Sequence, residues 1–154
     1  MVECSAKSSV KVVVDLDKRK SIRVLHVDDE PGLLKIAKQC LEMQGSFQVE
    51  TACSVEEAIG KMEREGYDVI ISDYQMPGKD GLEFLRELRQ SGNNVPFVIF
   101  TGKGREEVVI NAMKHGADQC LNKNGDPETV YAELAHAVRR VAERKATLKK
   151  AKEP

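Results

Sequence analysis

The sequence lacks tryptophan, an excess of either charge, and long apolar runs. Without Trp, and with aromatic residues at only 5%, a stacking platform for single-stranded nucleic acid is not expected. The formal net charge of −1 gives no electrostatic reason to expect a nucleic-acid partner either. The longest apolar run, residues 95–100, includes Pro96 and is far shorter than the roughly 20 residues of a membrane-spanning helix. We therefore expect neither nucleic acid nor a membrane as a partner.

The cysteine patterns of disulfide frameworks and metal sites are also missing. No Cys-x-x-Cys pair and no histidine-flanked spacing occurs among Cys4, Cys40, Cys53 and Cys120. We expect free thiols and hence a reducing compartment. Charged residues interrupt the start of the chain, which lacks the apolar stretch of a signal peptide, so we expect a cytoplasmic protein.

What the sequence does contain is a regular alternation of strand and helix patterns. Its 154 residues, 41% apolar and 32% charged, suit one ordinary soluble domain. Short apolar strand patterns are each followed by a helical pattern, which predicts an α/β fold with a doubly wound, five-stranded parallel sheet and helices on both faces. The predicted strands lie at residues 24–27, 47–51, 69–71, 97–100 and 120–121.

Local signals refine this prediction. Residues 47–51 alternate apolar and polar side chains, which predicts an edge strand, whereas the fully apolar residues 69–71 predict a central one. Three helix starts carry capping signals. These signals are Ser54 with Glu57, Asp80 with Glu83, and Asp126 with Pro127. A further helix is expected at about residues 105–115, where the apolar residues are Val108, Val109, Ala112 and Met113.

Polar residues follow the predicted strands where each one ends. Carboxyl ends of parallel strands meet at one rim, where ligands of such sheets bind. Crowded carboxylates repel one another, and oxygen ligands without His or Cys favour Mg²⁺. A Lys and a hydroxyl opposite them suit a phosphoryl group, with a carboxylate as nucleophile. The residues are Asp28 and Asp29, Asp73, Thr101 and Lys123.

Each of these residues also has a purely structural interpretation. Acidic residues commonly start helices, an Asp before Met76 and Pro77 can simply form a turn, and a lone Lys is usually solvated. The functional interpretation depends on all five residues falling at the carboxyl ends of four different strands of one predicted sheet.

The same segments resemble a known family. Residues 24–31 (VLHVDDEP), residues 68–81 (DVIISDYQMPGKDG), Thr101, and residues 116–118 leading to Lys123 are similar to a response-regulator receiver domain of the CheY-like superfamily. The similarity covers about residues 21–140. It implies the flavodoxin-like strand order 2-1-3-4-5, which agrees with an edge position for the second strand.

The resemblance also implies roles for the strand-end residues in a two-component phosphorelay. Asp73 would accept a phosphoryl group from a phosphohistidine of a sensor histidine kinase or phosphotransfer protein. Mg²⁺ would be bound by Asp29, Asp73 and the backbone carbonyl of Gln75, and by Asp28 through a water. Thr101 and Lys123 would each contact a phosphoryl oxygen. Such a domain is not a conventional enzyme, but it catalyses its own phosphorylation and dephosphorylation.

Two positions depart from the family pattern and leave an alternative open. The switch position, normally Tyr or Phe, is Cys120, which has no ring to swing inward. Asn124 stands where a Pro after a cis peptide is usual, and we expect a trans bond because a cis one would cost about 2.5–4 kcal/mol. These departures motivate the alternative of a phosphorylation-independent pseudo-receiver that acts as an interaction module. The presence of all five strand-end residues argues against it.

A second rival is an enzyme of another class. Residues 12–17 (VVVDLD) resemble the Asp-x-Asp motif of haloacid-dehalogenase-type phosphatases. Lys18 and Arg19 follow the motif, where small or β-branched residues are expected. The loop at residues 102–105, with two glycines and two cations, is either a phosphate-contacting loop or a mobile surface loop.

The two ends of the chain lie outside the predicted receiver. Residues 1–20 are expected to be a tail or, through residues 10–14, an extra edge strand. Residues 141–154 are expected to form a basic helical extension, since residues 139–154 carry seven Lys/Arg and two Asp/Glu. The final helix is either a solvated end or a seam for a homodimer with 4-3-4-3 spacing. The seam residues are Leu134, Val138, Val141, Lys145 and Leu148.

Overall fold

The computed structural model describes residues 21–102 and 105–152, with side chains up to residue 147. Within these residues, five strands alternate with five helices. In order, these elements are β1 (Ile22–Val27), α1 (Pro31–Met43), β2 (Phe47–Ala52), α2 (Val55–Arg64), β3 (Val69–Ser72), α3 (Gly81–Gln90), β4 (Phe97–Thr101), α4 (Glu106–Lys114), β5 (Gln119–Asn122) and α5 (Pro127–Lys152).

The strands form one parallel sheet in the order β2-β1-β3-β4-β5. This confirms the predicted fold class and strand order. The edge strand β2 buries Phe47 and Val49 and exposes Gln48 and Glu50, as its alternation predicted. The central strand β3 is buried at all four residues.

Two apolar cores lie on opposite faces of the sheet. Successive residues of a strand point to opposite faces, so Val24 packs in one core and Leu25 in the other. Helices α1 and α5 cover the first core, and α2, α3 and α4 cover the second. Both faces of the sheet are therefore protected, as a parallel sheet requires.

The predicted helix starts form with one difference. Asp80 and Glu83 make a complete capping box, and Asp126 Oδ2 accepts from the backbone N–H of Thr129. Ser54 accepts from the N–H of Glu57 at 3.1 Å, but the Glu57 carboxylate accepts from Cys53 instead of Ser54. The Ser54 capping box is therefore only half formed.

The helix predicted at about residues 105–115 forms as α4, but its apolar residues are not equally buried. Ala112 is fully buried, Val108 and Val109 are half-buried, and Met113 is 47% exposed. Because small Ala112 makes the central contact of this nine-residue helix, the next residue, about 100° around the axis, is turned towards solvent.

The residues of α5 that were candidates for a homodimer seam pack inside the domain. Leu134, Val138 and Val141 are buried in the core beside α1, so while packed there they cannot form a seam with a second chain. The Lys145 ammonium donates to the carbonyl of Asn94 at 3.0 Å, which continues the packing past residue 140. The side chain of Leu148 lies outside the described residues.

Three expectations concern other parts of the chain that the structure does not describe. They are the tail or edge strand at residues 1–20, the Asp-x-Asp motif at residues 12–17, and the glycine loop at Lys103 and Gly104. Within the described residues, no helix is both long enough and apolar enough to span a membrane.

Candidate functional site at the strand ends

Asp28 and Asp73 lie side by side because the sheet's hydrogen bonding continues one residue past β1 and β3. The N–H of Asp28 donates to the carbonyl of Ala52 at 3.1 Å, and that of Asp73 donates to the carbonyl of Val27 at 3.0 Å. Carboxylate oxygens of Asp28, Asp29 and Asp73 lie within 4.8 Å of one another. Asp28 and Asp73 are buried, whereas Asp29 is exposed, so the cluster opens to solvent on one side.

Lys123 bridges the two buried carboxylates from the end of β5. Its ammonium donates to Asp28 Oδ2 at 2.9 Å and to Asp73 Oδ2 at 3.1 Å. The other oxygens accept backbone N–H groups, Asp28 Oδ1 from Glu30 at 3.0 Å and Asp73 Oδ1 from Tyr74 at 2.7 Å. Both carboxylates are thus held in one orientation by a cation and by fixed backbone donors.

The electrostatics of this contact are set by burial and mutual charge. Burial raises the pKa of Asp28 more than its hydrogen bonds from Lys123 and Glu30 lower it. Burial lowers the pKa of Lys123, but the two carboxylates outweigh that effect, so the pKa is raised overall. Lys123 therefore stays protonated at neutral pH. One ammonium facing three carboxylates leaves the cluster electronegative, and its all-oxygen donor set fits a hard divalent cation such as Mg²⁺.

Two further predicted site residues, Thr101 and Gln75, lie near the acidic cluster. Thr101 is the last residue of β4, is 1% exposed, and pairs in register with Asn122. Its carbonyl accepts the backbone N–H of Lys123 at 3.1 Å, so the ends of β4 and β5 are joined beside the acidic cluster. Gln75 is exposed two residues after Asp73, in the loop that leads to α3. The structure thus places the predicted phosphoryl-site and metal-site residues at one rim of the sheet or in the loop beside it.

A profile of the family "Response regulator receiver domain" matches residues 24–135, most of the chain and nearly all of the sheet. The chain belongs to this family. Receiver domains work in phosphorylation-based two-component signalling and generally bind Mg²⁺ in an acidic pocket, and this receiver has such a cluster in Asp28, Asp29 and Asp73.

Curated relatives share the receiver part of longer proteins. The chain is 37% identical over 119 residues to the transcriptional regulatory protein TrcR of Mycobacterium tuberculosis, covering 77% of this chain and 46% of TrcR. It is 34% identical over 113 residues to the response regulator Rre1 of a Synechocystis species, covering 72% of this chain and 49% of Rre1. The chain therefore spans about half the length of these relatives.

Solved receiver domains share the fold over almost their whole length. A receiver domain from Clostridium thermocellum superposes with a TM-score of 0.73 at 32% identity, covering 82% of this chain and 98% of that one. The receiver domain of the Francisella response regulator 1452 gives a TM-score of 0.73 at 28% identity, covering 81% of this chain and 99% of that one.

The two departures from the receiver pattern are visible in β5 and the loop after it. Cys120 is half-buried against the core under α2, α3 and α4, and burial raises the pKa of its thiol, so it stays protonated. No cis peptide bond occurs in the described residues, so the bond before Asn124 is trans, as expected. The side-chain amide of Asn124 donates to the carbonyl of Gly102 at 2.8 Å.

Gly81 is a site residue that sequence reasoning missed. A Cβ built on Gly81 would lie 2.1 Å from the carbonyl oxygen of Asp73 and 3.1 Å from Ser72 Oγ. The first residue of α3 therefore presses directly against the backbone that carries Asp73. The available signal was a glycine inside the first turn of a predicted helix, since glycine there weakens a helix unless a close backbone approach requires it.

Proposed function

We propose that this receiver domain is a phosphorylation switch in which Asp73 accepts a phosphoryl group from a phosphohistidine of a sensor kinase or phosphotransfer protein. The observation that carries the proposal is the Lys123 ammonium held between Asp28 and Asp73 at 2.9 and 3.1 Å. A cation shared by two buried carboxylates at a solvent-facing rim suits transfer of an anionic group to one of them.

Asp73 is the carboxylate best placed to act as nucleophile. It follows the central strand β3, is 7% exposed, and its Oδ2 accepts from the Lys123 ammonium at 3.1 Å. In the transfer, an oxygen of Asp73 forms a bond to phosphorus while the bond from phosphorus to the donor imidazole nitrogen breaks. The Tyr74 N–H fixes Oδ1, so the side chain cannot rotate freely away from the incoming group.

Lys123 and Thr101 would bind the phosphoryl oxygens. The Lys123 ammonium already contacts Asp73 Oδ2, so an oxygen of a phosphoryl group added there comes within its reach. The Thr101 hydroxyl belongs to the adjacent strand end and would donate to another oxygen. Drawing these groups towards the phosphoryl group is the step that would alter the surface around β4 and β5.

Mg²⁺ fits the acidic side of the site. The carboxylates of Asp28, Asp29 and Asp73 would hold it, with the backbone carbonyl of Gln75 as a further oxygen ligand. When bound, the ion offsets the charge that gathers on the phosphoryl oxygens during transfer.

Incubation with acetyl phosphate and Mg²⁺, followed by intact-protein mass spectrometry, tests this function. The native chain should gain one phosphoryl group, and the Asp73→Asn variant or the native chain in EDTA should gain none. The Asp15→Asn variant is the matched control and should behave like the native chain, since Asp15 belongs to the rival Asp-x-Asp motif.

The alternative is a pseudo-receiver whose partner binding does not depend on phosphorylation. Cys120 favours it, because a small protonated thiol cannot repeat the rotation of an aromatic ring at the switch position. A native chain that gains no phosphoryl group under these conditions would contradict the switch and support the module. A gain that depends on Asp15 instead of Asp73 would support the phosphatase-type motif.

A further inference from the structure

The ends of β4 and β5 are joined by a contact that a receiver with proline at position 124 could not make. The side-chain amide of Asn124 donates to the carbonyl of Gly102 at 2.8 Å. Gly102 follows Thr101 and Asn124 follows Lys123, so this bond lies one residue beyond each of the two phosphoryl-binding groups. Proline has no side-chain donor with which to replace it.

The backbone on either side of Asn124 fixes its conformation. Its backbone N–H donates to Asn122 Oδ1 at 2.7 Å, and the next residue, Gly125, has a φ of +119°. Gly125 can adopt this left-handed conformation without a Cβ clash, so the chain turns away towards α5 immediately after Asn124. The carboxamide is thereby directed back across the gap to Gly102.

The contact also bears on the Lys123 side chain. A Cβ built on Gly102 would lie 3.4 Å from Asn124 Oδ1 and 3.7 Å from Lys123 Cε, so the Gly102 backbone lies against the lysine stem. Lys123 is one residue past the end of β5, where the N–H bond to the Thr101 carbonyl is its backbone anchor. The side-chain bond from Asn124 to Gly102 adds a second anchor between the same two strand ends, one residue further along each chain segment.

We propose that Asn124 is a positioning residue whose side-chain amide ties the segment after β5, which begins with Lys123, to Gly102 at the end of β4. This proposal rests on the proposed function, because Lys123 and Thr101 matter as a pair when both contact one phosphoryl group. The bond keeps the Lys123 ammonium against Asp28 and Asp73 in the resting domain. It also couples any displacement of Gly102 to the turn that leads into α5.

The contact requires a hydrogen-bond donor at position 124, which asparagine has and aspartate lacks. Gly102 contributes a carbonyl oxygen, which needs a donor. Asn124→Asp keeps the shape of the side chain but presents an oxygen to that carbonyl, and Asn124→Ala removes the group altogether. An exposed neutral hydrogen bond contributes little to global stability, so neither variant should unfold the domain.

The test compares native chain, Asn124→Ala, Asn124→Asp and the matched control Asn111→Ala, an exposed asparagine on α4. The first readout is NMR detection of the Lys123 ammonium in the resting protein, where its two ion pairs slow proton exchange with water. The second is the initial rate of phosphorylation by acetyl phosphate with Mg²⁺. Thermal unfolding of each variant shows whether it is folded.

We expect both Asn124 variants to exchange the Lys123 ammonium protons about tenfold faster and to be phosphorylated about five- to tenfold more slowly. Asn111→Ala should match the native chain in both. Native-like Lys123 exchange in both Asn124 variants would overturn the proposal, and so would faster exchange with an unchanged rate. If the native chain itself takes up no phosphoryl group, the proposed function fails, and the exchange readout alone then decides the positioning role.

Discussion

Replacing His26 with leucine should make the domain more resistant to acid unfolding. His26 lies in β1 between Thr51 of β2 and Ile71 of β3 and is fully buried. Its ring centroid is 6.2 Å from that of Phe100, and neither ring nitrogen has a hydrogen-bond partner in the described part of the chain. A buried imidazole in this environment is held neutral.

The magnitude follows from the pKa of this group in the two states. Burial, with a smaller contribution from the Lys123 charge, lowers the pKa of His26 from 6.5 to about 3. Below pH 6.5 the unfolded chain therefore binds a proton that the folded chain excludes, and stability falls as the pH is lowered from about 6.5 towards 3. One pH unit in this window is worth about 1.4 kcal/mol, so going from pH 7 to pH 5 should cost about 2 kcal/mol.

The assay is urea unfolding of the native chain and the His26→Leu variant at pH 7 and pH 5. Carboxylates titrate in both proteins, so the difference between their unfolding free energies isolates His26. That difference should shift by about 2 kcal/mol in favour of His26→Leu at the lower pH. An equal difference at both pH values would refute the reasoning, since it would mean that His26 is protonated equally in the folded and unfolded states.

Two further predictions concern the site itself. Lys123→Met removes the ammonium that lies 2.9 and 3.1 Å from Asp28 and Asp73. Because this relieves roughly 1 kcal/mol of repulsion between the lysine and the metal ion, Mg²⁺ should bind about five- to tenfold more tightly in calorimetric titration. Weaker binding would mean that Lys123 helps to form the ion site instead of competing with it. Gly81→Ala places a Cβ 2.1 Å from the Asp73 carbonyl oxygen, and should lower the unfolding free energy by about 1–3 kcal/mol in denaturant titration and slow acetyl phosphate uptake. Its control is Gly60→Ala in α2, where a Cβ meets nothing within 4 Å and where alanine should stabilise the helix by about 0.5–1 kcal/mol; equal effects at the two positions would contradict the steric argument.

The edge strand, the central strand and the location of the site were predictable from short-range patterns, whereas the full strand order was implied by the resemblance to receiver domains. The alternation of residues 47–51 identified an edge strand, and the continuous apolar run at residues 69–71 identified a central one. Once the strands are parallel, geometry alone brings the residues after them to one rim. Asp28, Asp73 and Lys123 meet there although Lys123 is 95 and 50 residues away from its two partners.

Contacts that depend on loop paths or on competing partners were not predictable in the same way. The 4-3-4-3 spacing of α5 gives an apolar stripe that could pack equally well against a second chain or against the domain's own sheet. In the structure, Val138 and Val141 of this stripe pack in the domain's own core. The Asn124 amide reaches Gly102 only because Gly125 turns the chain there. The close approach of Gly81 to Asp73 likewise depends on how the intervening loop folds back.

The central claim is that Asp73 is the phosphoacceptor of this receiver domain, and locating the phosphoryl group tests it most directly. After incubation with acetyl phosphate and Mg²⁺, borohydride reduction converts an aspartyl phosphate to homoserine, which peptide mass spectrometry assigns to one position. The account predicts homoserine at position 73 alone, and none when EDTA removes the metal. Homoserine at Asp28, Asp29 or any other aspartate, or at no position, would contradict it.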